Sequence, residues 1–393
     1  MNGERSARAL LGFCTVTFLV VGDLWFPPGS PWHHLRLLLL GAAIAAALAV
    51  TVRRPQILRT LGRFPLVFFS VFAGLDLVAS MLAERPLPSL RYAAGYVAIE
   101  ILAVAIAAVF SERAIVRGLL FAVGMKLVAS LAFALSPIAW WTHTRFMGLL
   151  GSPNPMGAAA GLAYLLIVLH GWYDWPRKPI RVALVAGGLA ATTTMAVTQS
   201  LSALAATLAT LVCLAPLSRV RESTRRERVA WAVVVVAALA PLLMITGGGG
   251  GLAPRPTTPT QAVVLRSGWW GMLEEAVWRH PWLGYGAGST PSLGIAGAPY
   301  WGTSAHNLYL EAAVYAGVPA ALAMMLFMAS ALFAAVARVC RAGGGVHVGL
   351  AVPMVFYAAL SLVEPVLLNG VPSSLVAPLI VAAVCALRAG DRP

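Results

Sequence analysis

The chain has 393 residues, of which 60% are apolar and only 11% are charged, and its mean hydropathy is +0.82. A soluble domain carries about 25% charged residues, so this composition excludes a single water-soluble globule. The formal net charge of +14 is typical either of a nucleic-acid-binding protein or of a membrane protein with basic cytoplasmic connections. The positions of the charges distinguish these two classes.

Apolar segments long enough to cross about 30 Å of hydrocarbon recur along the whole chain. The sequence therefore predicts an all-α polytopic membrane protein with about twelve transmembrane helices. They fall at residues 8–26, 35–52, 64–83, 92–110, 115–135, 154–172, 180–198, 201–217, 229–246, 307–337, 347–367 and 371–388. The N-terminal segment is similar to a secretory signal. However, the stretch from Asp23 to Pro28 has no small-residue cleavage site, so we interpret the segment as an uncleaved first span.

Basic residues are distributed unequally between alternate connections. With a cytoplasmic N-terminus, 20 of the 28 Lys and Arg residues lie in cytoplasmic connections and 7 in external ones, while Lys126 lies within the fifth span. Because Lys and Arg are enriched on the cytoplasmic side of membrane proteins, this distribution predicts that both termini are cytoplasmic. The cytoplasmic connections account for the whole net charge, so the charge does not require a nucleic-acid partner.

Cysteines and metal-binding motifs give no sign of a cofactor. None of the four cysteines lies in an external connection, so no disulfide framework is expected. The sequence has no zinc-ligand spacing, no Walker loop and no external acidic motif that would hold a divalent cation. We therefore expect neither a metal nor another cofactor.

One external connection, at residues 247–306, is long enough to form a small subdomain. It would separate residues 1–246, with the first nine helices, from residues 307–393, with the last three. Glycine and proline make its start a flexible lead-in. In residues 261–278 apolar side chains recur at spacings of three and four. This pattern predicts an amphipathic helix at the membrane interface with its tryptophans at headgroup depth.

The segment that opens the tenth predicted span carries the strongest chemical signal. Ser304 is expected to cap the helix, and His306 and Asn307 lie in its first turn, where unpaired backbone N–H groups favour an anion. A neutral imidazole is also a natural general base near neutral pH. The alternative is a structural histidine that hydrogen-bonds to a neighbouring loop.

Four external segments form a pattern in chain order. They are Thr144-Arg145-Phe146-Met147-Gly148 followed by Pro153-Asn154-Pro155, Arg266 before Trp269-Trp270, His280-Pro281-Trp282-Leu283-Gly284-Tyr285-Gly286, and His306-Asn307 followed by Gly317. Together they resemble the bacterial O-antigen ligase and O-antigen polymerase family over roughly residues 140–330, with the ligase favoured. Two positions depart from the pattern. Leu201 stands where many members carry arginine, and Ala320 stands where the ligase signature often has Gly, Thr or Tyr.

The resemblance implies a GT-C-like glycosyltransferase of the cell inner membrane with a periplasmic active site. As an O-antigen ligase, it would transfer a preassembled glycan from undecaprenyl diphosphate to lipid A-core in lipopolysaccharide biosynthesis. A polymerase of the same family would instead extend a second lipid-linked glycan. The implied partners are therefore the lipid-linked donor, the lipid A-core acceptor and membrane lipids.

Such a reaction needs a base for the acceptor hydroxyl and cations for the diphosphate leaving group. We identify His306 as the candidate base. Arg145 and Arg266 are the candidate diphosphate ligands, because guanidinium binds phosphate oxygens bidentately. Further candidate substrate-binding residues are Arg91, Arg279, Lys126, Asn307 and Asn154. Direct displacement would invert the anomeric configuration, since no pair of external carboxylates is arranged for a covalent intermediate.

Charged residues also fall within the predicted spans. Lys126, Glu100 and Asp76 should face the bundle interior or a water-filled cavity. Lys126 would either reach the donor diphosphate or pair with Glu100, and a purely structural pair is equally consistent with the sequence. Glu364, near the external end of the eleventh span, is a candidate for orienting His306 or the acceptor.

A transporter or lipid flippase is the rival class, since such proteins also have about twelve spans and intramembrane charges. Transporters often contain two similar halves, but residues 1–190 and 200–393 show no such repeat. The single large external connection also favours a fixed external active site over alternating access.

Overall fold

The computed structural model describes residues 2–21, 31–134, 141–142, 145–171, 178–217, 259–293, 304–342, 345–365, 367–368 and 373–388. Their helices are α1 (Asn2–Val21), α2 (Pro31–Arg53), α3 (Leu66–Met81), α4 (Pro86–Val109), α5 (Glu112–Ala134), α6 (Pro153–Leu166), α7 (Lys178–Thr198), α8 (Leu201–Leu214), α9 (Pro259–Arg279), α10 (Leu308–Ala342), α11 (Val346–Leu360) and α12 (Ser373–Arg388). Strands β1 (Trp141–Thr142) and β2 (Arg145–Phe146) pair antiparallel, with Trp141 opposite Phe146.

The described helices confirm an all-α membrane protein. Helices lie at every predicted span except the ninth, residues 229–246, which falls outside the described residues. Within the described part of the chain, five helices are long and apolar enough to cross a membrane, and shorter apolar helices accompany them. Large apolar side chains such as Phe13, Leu38 and Phe333 are exposed on the outside of the bundle, where lipid would cover them.

The predicted tenth span is interrupted rather than continuous. α10 has non-helical backbone at Ala316 and Gly317, which divides it into residues 308–315 and 318–342. Pro319 has no backbone N–H, so it cannot bond the carbonyl of Tyr315 as a helical residue would. The N–H of Val318 also leaves the helical pattern and donates to the carbonyl of Pro281 at 2.7 Å.

The turn at residues 280–286 forms hydrogen bonds with the backbone groups that lose their helical partners at this interruption. The N–H groups of Tyr285 and Gly286 donate to the carbonyls of Val314 and Tyr315 at 2.9 and 2.8 Å. A Cβ atom at Gly317 would lie 2.5 Å from the backbone of Trp282, in a conformation with φ of +82°. Glycine is therefore required for this close approach. We call the paired segments 280–286 and 314–318 the backbone joint.

Buried aromatic side chains hold the bundle together around α3, α4 and α10. The rings of Phe69 and Phe327 meet edge to face with their centroids 5.1 Å apart. The rings of Phe72 and Tyr96 lie 5.7 Å apart, and the Tyr96 hydroxyl donates to the carbonyl of Leu368 at 3.1 Å. Such pairs add to the energy of burial and fix the orientation of the helices.

The charged residues within the spans face the interior, as predicted. Lys126, Glu100 and Asp76 are 7%, 4% and 0% exposed. The Ser70 hydroxyl donates to a Glu100 oxygen at 2.7 Å. This placement agrees with the cost of leaving a charge in lipid.

A second group of charged side chains lies at the end of the bundle that is opposite to the backbone joint. Arg338 and Arg388 both donate to Oε1 of Glu112, and His347 Nδ1 lies 3.0 Å from its Oε2. Glu112 is 4% exposed. This charge cluster joins α5, α10, α11 and α12 near chain segments that the sequence predicts to be cytoplasmic.

Candidate active site

The carboxylate of Glu364 is the centre of a polar cluster built from four distant segments. Its Oε1 accepts hydrogen bonds from Arg266 Nη2 at 2.7 Å, Asn154 Nδ2 at 2.9 Å and the Ser202 hydroxyl at 3.2 Å. Its Oε2 lies 3.2 Å from His306 Nδ1. The side chain of Glu364 is 6% exposed, while those of Arg266 and His306 are 18% and 19% exposed. The cluster is therefore shielded from bulk solvent but reachable.

Asn307 begins α10 and ties it to the turn that carries Glu364. Its Oδ1 accepts hydrogen bonds from the N–H groups of Tyr309 and Leu310, both at 3.0 Å, and its Nδ2 donates to the carbonyl of Leu362 at 3.0 Å. The prediction that Ser304 caps this helix is wrong. Its hydroxyl is buried and has no hydrogen-bond partner among the described residues, because the first helical residue is Leu308 and Asn307 occupies the capping position.

The backbone around His306 is held in an uncommon conformation. His306 has φ of +49°, in the left-handed region that residues other than glycine rarely adopt. The preceding N–H, of Ala305, donates to the Glu311 carboxylate, and the Ala305 carbonyl accepts from Trp270 Nε1 at 2.7 Å. Glu311 also accepts from the Thr290 hydroxyl at 2.7 Å and is fully buried. The surrounding contacts thus fix the peptide that orients the imidazole.

The helix predicted at residues 261–278 is confirmed as α9, and its tryptophans differ from one another in exposure. Trp269 is only 3% exposed, and its indole N–H donates to the carbonyl of Ser304 at 2.8 Å. The ring of Trp269 packs against the protein and its N–H has a buried partner, and the headgroup depth of the tryptophans stays a prediction. Trp278 and Trp282 are 65% and 74% exposed.

Arg145 extends the cluster through Asn154. Its Nη2 donates to Asn154 Oδ1 at 3.0 Å and to the Gln199 carbonyl at 3.3 Å, and its Nε donates to the Thr198 carbonyl at 2.9 Å. It therefore brings a guanidinium to the short connection between α7 and α8. Leu201 begins α8 directly after this connection.

The remaining predicted residues lie apart from these contacts. Arg279 is 69% exposed and pairs with Glu275 at 2.6 Å, and Arg91 is exposed on α4. Within the described part of the chain, neither hydrogen-bonds to Glu364. Lys126 lies on α5 one turn before Ser130, whose hydroxyl accepts the Leu149 N–H at 3.2 Å.

No group of three His, Cys, Asp or Glu side chains capable of holding a metal ion occurs among the described residues. The guanidinium of Arg266 contacts Glu364, and that of Arg145 contacts Asn154 beside it. Such groups, with an imidazole 3.2 Å from a carboxylate, can stabilise a departing diphosphate and transfer a proton.

A comparison with protein families identifies the region that carries part of this cluster. Residues 186–325 match the family model described as O-Antigen ligase. Over those residues the chain is similar to the O-antigen ligase and polymerase family. No curated protein matches the chain.

The O-antigen ligase match covers only part of the cluster. It contains Ser202, Arg266 and His306, whereas Arg145, Asn154 and Glu364 lie outside residues 186–325. The contacts to Glu364 therefore bring together side chains from within and beyond the matched region.

Two members of the site were missed by sequence reasoning. Ser202 donates to Glu364, but a serine in the first turn of an apolar helix gives no specific signal. Glu311 is a carboxylate between apolar neighbours at the start of a predicted span. That placement is a usable signal, because a charge at such a position is retained only where it has partners.

Proposed function

We propose that this protein is an O-antigen ligase that transfers a preassembled glycan from undecaprenyl diphosphate to lipid A-core. The family match supports the class of enzyme. The observation that carries the proposal is the shared carboxylate of Glu364, which contacts both the candidate base His306 and the candidate diphosphate ligand Arg266. A base and a cation are the two groups that displacement of a diphosphate requires.

His306 acts as the general base in this proposal. With a proton on Nδ1 facing Glu364, the basic ring nitrogen is Nε2. As the acceptor hydroxyl oxygen forms a bond to the anomeric carbon, Nε2 takes its proton. The bond between that carbon and the diphosphate oxygen breaks, and undecaprenyl diphosphate leaves with the electron pair. The single displacement inverts the anomeric configuration and needs no metal ion.

Arg145 and Arg266 neutralise the diphosphate. Arg145 is held by three neutral oxygens, two of them at the connection between α7 and α8, where it would replace the arginine that many members of the family carry at the position of Leu201. Asn154 links the two parts of the site, since it bonds both Arg145 and Glu364. Several such contacts to developing charge can together lower the barrier by several kcal/mol, on the order of the effect of oxyanion-hole donors.

The other substrate-binding candidates act around this centre. Lys126 is a further cation for the donor, and Asn307 sets the start of α10. Arg91 and Arg279 are exposed and would contact parts of the substrates outside the cluster. The membrane is the cell inner membrane, with cytoplasmic termini and a periplasmic site, as the distribution of Lys and Arg supports.

Reconstituted protein tests this function. Purified protein in vesicles would receive lipid-linked glycan and lipid A-core without nucleotide, and transfer would be followed by the mass of the acceptor. We expect transfer by the wild type and a loss of about 10²-fold or more in His306→Ala. His34→Ala, which changes an exposed histidine at the start of α2, serves as the control. Equal transfer by His306→Ala would remove His306 as the base.

The acceptor separates the ligase from a polymerase. Ala320 departs from the ligase signature, and this departure favours the polymerase as the second candidate. Replacing lipid A-core with a second lipid-linked glycan in the same assay would give a longer lipid-linked product only with a polymerase. Movement of intact lipid-linked glycan across the vesicle without transfer would instead identify a flippase.

A further inference from the structure

The backbone that leads into His306 is held by two consecutive tryptophans of α9. The indole N–H of Trp269 donates to the carbonyl of Ser304 at 2.8 Å, and the indole N–H of Trp270 donates to the carbonyl of Ala305 at 2.7 Å. The two bonds therefore fix adjacent carbonyl groups directly before the imidazole. We call residues 304–306 the histidine segment.

Arg266 lies one turn before both tryptophans on α9. Residues three and four apart on a helix share a face, so Arg266, Trp269 and Trp270 lie on one side of α9. The guanidinium of Arg266 donates to Glu364 Oε1 at 2.7 Å, and Glu364 Oε2 lies 3.2 Å from His306 Nδ1. These contacts form a closed ring, which runs from α9 through Arg266 and Glu364 to His306 and returns to α9 through the histidine segment and the two indoles.

The backbone of His306 needs support from its neighbours. Its φ of +49° is strained for a residue other than glycine, and such a conformation persists only where the surrounding contacts over-determine it. The two indole bonds, with a third from the N–H of Ala305 to the Glu311 carboxylate, supply this support. Without the indole bonds the histidine segment would relax, and the imidazole would lose its fixed place beside Glu364.

We infer that Trp269 and Trp270 are positioning residues, which hold His306 at a fixed place relative to Arg266. This inference rests on the proposed function, in which His306 takes the proton of the acceptor hydroxyl and Arg266 binds the departing diphosphate. The acceptor and the leaving group lie on opposite sides of one anomeric carbon, so the spacing of the base and the cation affects the rate of displacement. Loss of the indole N–H groups should therefore lower kcat and leave KM for the donor nearly unchanged.

Benzothienylalanine tests the indole bonds, because it keeps the size of the tryptophan ring but has sulfur in place of the N–H. The exchange would be made at residue 269 or 270 of the full-length protein, which is then reconstituted with lipid-linked glycan and lipid A-core. We expect each exchange to lower kcat about tenfold and to change KM for the donor by less than about twofold. The same exchange at Trp278, which is 65% exposed on the same helix, should change neither. Trp270→Phe also lacks the N–H and should lower kcat at least as much, and elution as the wild type in size exclusion checks that each protein is folded.

The same exchanges in a His306→Ala background separate positioning of the base from a general effect on the structure. If the indoles act through His306, neither exchange should reduce the residual transfer further, since no base is left to position. Equal losses of kcat in both backgrounds, or wild-type kcat in both exchanged proteins, would overturn the inference and leave His306 as the base. Wild-type transfer by His306→Ala itself would overturn the proposed function and the inference together.

Discussion

Glu364 contacts both a histidine and an arginine with a single carboxylate. It faces the imidazole of His306 with one oxygen and the guanidinium of Arg266 with the other. A carboxylate beside Nδ1 fixes the tautomer and the orientation of a histidine, as in other base–carboxylate pairs. The same carboxylate fixes Arg266 in a defined position before any substrate binds.

Removing only the charge of Glu364 should impair transfer without changing the size of the side chain. In Glu364→Gln, the amide no longer stabilises a positively charged imidazole, and Arg266 loses its ionic partner. We expect transfer to fall about 10²-fold in the reconstituted assay. Glu275→Gln is the matched control, because that carboxylate is 70% exposed and pairs with Arg279. Wild-type rates in Glu364→Gln would mean that His306 needs no carboxylate.

Arg145 offers a test of geometry at constant charge. Lysine cannot reproduce the fork that donates from Nε to Thr198 and from Nη2 to Asn154 and Gln199. We expect Arg145→Lys to lower kcat/KM for the donor about tenfold or more. Arg63→Lys, at an exposed position in the connection before α3, should leave kcat/KM for the donor nearly unchanged. Equal behaviour of the two variants would count against a role of Arg145 in donor binding.

At the scale of elements, the backbone joint explains the glycines in two segments of the sequence pattern, His280 to Gly286 and His306 to Gly317. Gly284 and Gly317 lie where the turn at residues 280–286 and α10 approach each other backbone to backbone. The joint positions the first segment of α10, which carries His306 and Asn307 at its start. The glycines act through this packing and are 11 or more residues from His306 along the chain.

A methyl group at Gly317 should therefore destabilise the protein. Gly317→Ala places Cβ 2.5 Å from the backbone of Trp282 at φ of +82°, and such a conformation alone costs about 1–3 kcal/mol. We expect a lower midpoint of thermal unfolding in detergent. Gly271→Ala on α9 is the control, since nothing lies within 4 Å of its Cβ. That change should raise stability by about 0.5–1 kcal/mol. Equal midpoints for the two variants would disprove the constraint.

At the scale of the whole molecule, the charge cluster around Glu112 holds four helices at one end. Glu112→Gln would leave Arg338 and Arg388 adjacent without a carboxylate between them. We expect a loss of roughly 1–3 kcal/mol of stability and a lower midpoint of thermal unfolding. Glu275→Gln, which removes an exposed ion pair, should change stability by less than about 0.5 kcal/mol. A midpoint unchanged by Glu112→Gln would show that the cluster contributes little.

The helices could be predicted from hydropathy, whereas the contacts between the helices could not. Each span is a long apolar stretch of sequence, so composition alone predicts the positions of all the described spans. The interruption of α10 was missed, although Pro319 and Gly317 are both in the sequence, because transmembrane helices tolerate such residues when a neighbour accepts the freed groups. That neighbour, the turn at residues 280–286, is known only from the fold.

The site was predictable in its residues and only partly in its arrangement. Arg145, Arg266 and His306 were identified by chemistry and resemblance, and Glu364 was proposed to orient His306. Arg266 and Asn154 contact the same carboxylate, although they are 98 and 210 residues away from Glu364 along the chain. Such long-range contacts could not be read from the sequence. The choice of Asn307 over Ser304 as the cap depends on the turn at His306. Both residue types are good caps, so local preference could not decide between them.

The position of Glu364 in the chain has a consequence for biosynthesis. Its carboxylate comes from the turn after α11, so a nascent chain that ends before residue 361 already contains Arg266 and His306 but not the carboxylate that contacts them both. Domains assemble as the chain emerges from the ribosome. On the proposed function, glycan transfer would therefore begin only once α11 and its following turn have entered the membrane.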